Sequence, residues 1–173
     1  MNRDQPVSRD DHLAAATEFA AEQARGQNRR GRAFCQHLAE ITDDWLIELF
    51  DEAMSQHEPR GASVALLAIG GYGRGELAPF SDLDLLLVHD VKPRKVAALV
   101  EPVASALWYP LWDSGVKLGH AVRSVKEQLS LASDDLDTAT ALLTARVLAG
   151  DDSLADDVMS SGHAAWTDRR DEH

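Results

Sequence analysis

The hydrophobic pattern changes period several times along the chain. From Phe34 to Phe50, apolar residues recur at helical spacing. Phe34, Leu38, Ile41, Trp45 and Leu49 form a stripe, joined by Leu46 and Phe50. Glu40, Asp43, Asp44, Glu48, Asp51 and Glu52 mostly fill the opposite side. This predicts an amphipathic helix packed on the core and closed by Pro59-Arg60-Gly61. The helical period then stops. Val64 to Ile69 is a continuous apolar run ending in Gly70-Gly71, and Asp82 to Val88 is a second such run. Both predict buried strands, joined by a glycine-rich turn with at most a short helical turn, broken by Pro79.

Helical spacing returns after Lys92-Pro93, with Val96, Leu99, Val100, Val103, Leu107, Leu111 and Trp112 on one face. Pro102 and Pro110 lie inside that pattern and predict kinks or a split helix. Val116 to Val122 alternates as a third strand, with Val116, Leu118, His120 and Val122 on one face. A further helix, capped by Ser133 or Asp134, carries Leu136, Ala139, Leu142, Leu143 and Val147 and ends at Gly150. At the other end, Asp10 or Asp11 opens a helix through Gln23, and Gly26 to Arg32 reads as a solvated basic connector or a phosphate-contacting loop. The expected fold class is α+β, a small mixed sheet flanked by helices. Residues 1–60 form an N-terminal helical region, 61–151 the core, and 152–173 an acidic, poorly ordered tail with one weak helix.

Composition narrows the function classes. The formal net charge of −12 argues against broad nucleic-acid binding, which needs a basic surface. A nucleoside triphosphate stays admissible, because a metal ion screens like charges locally. Cys35 is the one cysteine, so no internal disulfide or cysteine metal cluster is expected, and a reducing, cytoplasmic setting fits best. Met1 to Asp11 is polar, with no signal-peptide segment, and no apolar run approaches the ~20 residues of a bilayer span.

The candidate chemistry sits between the first two strands. Ten residues separate Gly71 from Asp82-Leu83-Asp84. Carboxylates at i and i+2 of a strand share a face, so Asp82 and Asp84 can hold divalent cations together while Leu83 turns into the core. Their oxygens suit Mg²⁺, which also takes triphosphate oxygens and water. Gly70 and Gly71 let backbone N–H groups approach a phosphate with no Cβ in the way. Other nucleotide motifs fit poorly. Gly73-Arg74-Gly75-Glu76-Leu77-Ala78 meets only the looser dinucleotide fingerprint and runs straight into Pro79, and the Gly-Lys-Ser/Thr ending of a P-loop is absent. An acidic pair at the mouth of an apolar strand needs a metal or cationic partner, since unpaired buried charge is costly.

The pattern hydrophobic-Gly-Gly followed by Asp-x-Asp resembles the DNA polymerase β-like nucleotidyltransferase superfamily. The longer string from Gly70 to Leu86, GGYGRGELAPFSDLDLL, is more specific. It resembles the N-terminal nucleotidyltransferase domain of the bifunctional uridylyltransferase/uridylyl-removing enzymes that modify P-II nitrogen-signalling proteins. Leu111 to Gly115, Gly119 to Ser124 and Ala141 to Asp151 agree with it, so the likeness covers about residues 64 to 151. The resemblance implies a polymerase β-like core in which Gly70 and Gly71 cradle the triphosphate and Asp82 and Asp84 hold the catalytic metals. It implies that Ser81 hydrogen-bonds a phosphate oxygen, and it leaves two readings of Arg74, a phosphate contact or a brace for the turn. The implied partners are UTP and a P-II protein, whose tyrosine hydroxyl attacks the α-phosphorus; no nucleic acid or membrane is implied.

The chain departs from the family at the third carboxylate. The superfamily carries one on a neighbouring strand, yet Val116 to Val122 has no acid and presents His120, a functional group or a packed structural histidine. Thr144 stands where relatives often carry an acid. Asp113, Asp134, Asp135, Asp137 and Asp151 remain open candidates. The hydrolase and regulatory domains of the full enzymes are not visible, and His89-Asp90 reads as coincidence, so the chain is expected to be a fragment, an excised domain or a reduced homologue. An adenylyltransferase of the same fold, or a nucleotide-binding module without turnover, are the alternatives.

Overall fold

Val64–Ala68 (β1) and Leu83–His89 (β2) form the centre of the sheet and pair antiparallel, from Val64↔His89 to Ala68↔Leu85. Their continuous apolar runs are explained by burial on both faces. In the computed structural model, which describes residues 31–171, Leu66, Ala68, Leu83, Leu85 and Leu87 pack towards one helical layer and Ala65, Leu67, Leu86 and Val88 towards the other.

The first layer consists of α1 (Arg32–His57), α3 (Pro93–Leu99) and α4 (Glu101–Asp113). The stripe read from sequence supplies Leu38, Trp45, Leu46 and Phe50, which meet Val103, Leu107, Trp108 and Leu111 of α4. The helix after Lys92 is split as its prolines predict. Pro93 and Pro102 each stand at a helix start, while Pro110 lies within α4. The second layer consists of α5 (Val125–Asp134), α6 (Leu136–Leu143) and α7 (Asp152–Asp171). A four-residue helical turn, α2 (Gly70–Gly73), links β1 to β2. Leu118–Ser124 (β3) runs parallel to β2 and Arg146–Gly150 (β4) antiparallel to β1, giving the order β3-β2-β1-β4. The fold is α+β with a mixed four-stranded sheet. No helix among the described residues is long and apolar enough to cross a membrane.

Three expectations need correction. The helix expected to reach Gly150 ends at Leu143, and Arg146–Gly150 is a strand. Its cap is Asp135, whose carboxylate accepts the Thr138 N–H at 2.8 Å, rather than Ser133 or Asp134. The acidic segment after Asp151 is a 20-residue helix, because Leu154, Ala155 and Val158 lie on one face and are buried against the sheet. Helix α5, absent from the sequence reading, starts with a capping box in which Ser124 and Glu127 satisfy each other's backbone N–H. The helix expected from Asp10 to Gln23 lies outside the described residues, as does most of the basic segment after it.

Candidate active site

The chain leaves β1 through Ile69, whose N–H donates to the Asp84 carbonyl at 2.9 Å and ties the turn to β2. Gly70 then takes φ +58°, a left-handed conformation that glycine adopts without a Cβ penalty. This brings the turn against the Asp84 side chain. A Cβ on Gly70 would lie 3.0 Å from Asp84 Oδ2, and one on Gly119 only 2.3 Å from Asp84 Oδ1. Gly119 is the β3 partner of Asp84 in the parallel register. The carboxylate therefore fills space that a side chain at either neighbour would need.

Half-burial raises the Asp84 pKa above the usual carboxylate range, and the nearby charge of Asp82 raises it further. Asp82 is exposed and lies 3.9 Å from Lys117 Nζ. Asp84, Gly70 and Gly119 line a cleft of about 320 Å³, together with Arg123, Asp137 and Thr138. Arg123 donates to the Oε1 of buried Gln128 at 2.8 Å, so one edge of its guanidinium is anchored. The cleft thus joins a carboxylate that resists charging to a fixed cation and a second acid.

Behind the turn lies a separate polar cluster. Arg146 on β4 grips Asp43 of α1 with two bonds, Nη1 to Oδ2 at 2.7 Å and Nη2 to Oδ1 at 3.0 Å. The Tyr72 hydroxyl donates to the same carboxylate, and the Arg146 guanidinium carbon lies 5.6 Å from the Tyr72 ring centroid. Burial first, and the Asp43 charge second, push the Tyr72 phenol far above its ordinary range. The Thr144 hydroxyl donates to the Gly70 carbonyl at 2.9 Å. Gly73 packs so closely that a Cβ would come 2.2 Å from the Thr144 carbonyl oxygen. Two distant segments, α1 and the stretch Thr144 to Arg146, thereby fix the turn that faces Asp84.

Of the residues singled out in the sequence, Gly70 and Asp84 border the cleft, with Gly71 next on the turn and Asp82 two residues before Asp84. Ser81 is exposed, and its backbone N–H donates to the Ala78 carbonyl at 3.1 Å. Arg74 folds back on its own turn, with Nη1 3.5 Å from the Gly70 carbonyl, a long contact that favours the bracing role. His120 is exposed and borders the cleft rather than packing in the core. His89 is buried at the end of β2, where burial lowers its pKa and Nδ1 accepts the Val91 N–H at 3.2 Å.

Among the five acids left open, Asp137 lines the cleft, while Asp135 and Asp151 serve as helix caps. Gly119 and Arg123 were not singled out from the sequence. A glycine inside a strand was the available signal, because it marks a close approach by a neighbour.

The donor set fits a hard divalent cation. Asp82 and Asp84 offer carboxylate oxygens, and Asp84, accommodated by the bare glycines, lines a cleft with room for further ligands. Among the described residues, no group of three or more His, Cys, Asp or Glu side chains is close enough to form a complete metal site. A divalent cation held by Asp82 and Asp84 would need its remaining ligands from water or a bound substrate.

A mixed sheet carrying an acidic pair beside a glycine turn defines a nucleotidyltransferase type of site, and sequence comparison agrees. The family described as "Putative nucleotidyltransferase DUF294" matches residues 15–126. The chain belongs to this nucleotidyltransferase family. It is also similar to proteins named bifunctional uridylyltransferase/uridylyl-removing enzyme. The one from Streptomyces coelicolor is 43% identical over 155 residues, which is 90% of this chain and 17% of that protein. The one from Mycobacterium tuberculosis is 37% identical over 166 residues, 96% of this chain and 20% of that protein. A third, from Bradyrhizobium sp., is 42% identical over 139 residues, 77% of this chain and 14% of that protein. The chain spans one fifth or less of the length of these relatives.

Proposed function

We propose that this chain is the nucleotidyl-transferring unit of a uridylyltransferase, moving UMP from UTP to a tyrosine hydroxyl of a P-II-type nitrogen regulatory protein. The observation that carries the transferase reading is the seat of Asp84, half-buried on the cleft wall against two glycines whose missing Cβ atoms make room for its carboxylate. The names of the relatives support the choice of uridylyl, and the P-II acceptor follows from the family resemblance. Transfer forms a bond between the phenolic oxygen and the α-phosphorus and breaks the bond from that phosphorus to the α,β-bridging oxygen. Pyrophosphate leaves and the phenol loses its proton.

Each residue has a part that follows from its position. The first N–H groups of the turn at Gly70 and Gly71 have no partner within the turn and serve phosphate oxygens. Arg123, anchored by Gln128, offers its free edge to phosphate charge. Asp137 is the second acid that lines the cleft. Asp82 and Asp84 would hold Mg²⁺, which neutralises triphosphate charge and lowers the pKa of the attacking hydroxyl. The brace through Asp43, Tyr72, Arg146 and Thr144 keeps the turn in one geometry, so positioning is established before the nucleotide arrives.

The test is label transfer from UTP or ATP to a P-II protein in the presence of Mg²⁺, with an Asp82→Asn/Asp84→Asn double variant beside the parent chain. Transfer from UTP that the variant loses is the expected result. Transfer from ATP alone would replace uridylyl by adenylyl. Metal-dependent nucleotide binding without transfer would leave a binding module, and no metal-dependent binding at all would remove the site.

A further inference from the structure

On the opposite face of β3 from the Asp84 cleft lies a second concavity, of about 350 Å³, walled by Trp108, Tyr109, Trp112, His120 and Val122. It is unusual for this protein in being aromatic and open. Tyr109 is 61% exposed and Trp112 45%, so both rings are within reach of a partner. The rings are already ordered against one another. Tyr109 and Trp112 stand edge-to-face with centroids 5.4 Å apart, and His120 lies 5.4 Å from Trp112 and 5.2 Å from Trp108. Trp108 is only 3% exposed, yet its indole N–H finds no acceptor among the described residues. Buried indole donors are normally satisfied, so this one is an exception next to the groove.

The strand between the two concavities is equally open. Among the described residues, β3 is an edge strand with β2 on one side only. Its side chains alternate. Gly119, Ala121 and Arg123 face the cleft, His120 and Val122 line the groove, and His120 and Ala121 border both. The stretch from Ser114 to Lys126 carries Lys117, His120, Arg123 and Lys126 with no acid, in a chain whose net charge is −12. An unpaired edge, a pocket on each side and a locally basic strip are the components of peptide recognition by strand addition.

We infer that the acceptor protein binds as an extended, acid-flanked segment laid along the outer edge of β3, with its tyrosine turned into the cleft and the adjacent side chain seated in the aromatic groove. The inference rests on the uridylyltransferase reading and gives that reading an acceptor subsite. In a paired strand, the residue opposite Gly119 or Ala121 faces the cleft and its neighbours face the groove. A residue opposite Gly119 stands two strand spacings, roughly 10 Å, from Asp84. Gly119 has no side chain, so the Asp84 carboxylate lies directly over it on the way to the strand edge. Here a substituent would obstruct the acceptor as well as the carboxylate. The main-chain ladder supplies affinity without reading sequence, and the groove selects what flanks the tyrosine.

The experiment compares the chain with a Tyr109→Ala/Trp112→Ala variant, both changes being on exposed rings outside the cleft. The KM for a P-II protein, the affinity for UTP and the affinity for the same P-II protein by direct titration are measured, with thermal melts as a fold check. The expected result is a rise in acceptor KM and in acceptor Kd of at least about tenfold, with UTP affinity and the melt unchanged. An unchanged acceptor Kd in the folded variant overturns the proposal. Weakened UTP binding also overturns it, by making the groove a nucleotide subsite. Self-association of the parent chain that the variant abolishes overturns it in favour of a second copy. If the parent binds the P-II protein through the groove but transfers nothing, the transferase reading fails while the subsite stands.

Discussion

Two carboxylates flank the same glycine turn and are treated in opposite ways. Asp43, behind it, receives two bonds from Arg146 and one from Tyr72. Asp84, in front, is left between bare glycines with Asp82 as its charged neighbour, and its pKa rises. The first acid is satisfied and fixes geometry. The second is unsatisfied and has its strongest interactions still to make, which is what a ligand-binding group requires. The turn joins them, since Gly70 and Tyr72 lie two residues apart on one helical turn.

Substitutions should separate the two roles. The largest effect belongs to Asp84→Asn, expected to lower transfer by about a thousandfold, as loss of a preorganised charge at the reacting centre does. Its melting temperature should hold or rise, because a half-buried carboxylate with a like-charged neighbour is removed. A clear fall in melting temperature would mean that Asp84 is structural after all.

Asp43→Ala should do the reverse, costing roughly 2–3 kcal/mol of stability in urea unfolding, because Arg146 is left without its partner. That figure sits below the roughly 3–5 kcal/mol of a fully buried pair because the Arg146 side chain remains partly exposed. An unchanged unfolding midpoint would show that the brace is dispensable. Gly119→Ala should lower transfer about tenfold, since its Cβ displaces the Asp84 carboxylate while the sheet itself accommodates alanine. Wild-type rates in that variant would exclude the close approach from the mechanism.

The smallest effect lies far from the turn. Hydrogen bonds from the Ser153 and Ser63 hydroxyls and the Leu154 N–H hold the Asp151 carboxyl at about 2. The unfolded chain takes up that proton at higher pH. Asp151 therefore stabilises the fold above about pH 4, and that contribution is lost as pH falls towards 2. In Asp151→Ala, unfolding free energy plotted against pH should be flatter over that window than in the parent. Parallel curves would refute the assignment.

The same contrast explains what the sequence could reveal. β1 and β2 were legible because burial on both faces makes their apolar runs continuous, and the acidic pair stood out against them. β4 was misread because Val147 continues the helical spacing of Leu142 and Leu143, while only register with β1 makes it a strand. In α7, an acidic composition concealed the short stripe of Leu154, Ala155 and Val158. The cleft was half legible. Gly70 and Asp84 belong to one short motif, but Arg123 and Asp137 arrive on later elements. The brace was illegible, for Asp43 and Arg146 are 103 residues apart and neither has a local signature.

That separation bears on how the protein is made. A ribosome that has delivered β1, the turn and β2 has already synthesised both acids and both turn glycines, yet there is no working site. Arg123, Asp137, Thr144 and Arg146 are still to be translated, and β4 must close a loop across the whole core to reach β1. The nascent chain thus has α1 to cover one face of its most apolar strands, but the helices that cover the other face do not yet exist. Competence to bind nucleotide should emerge late and all at once, when the last strand docks.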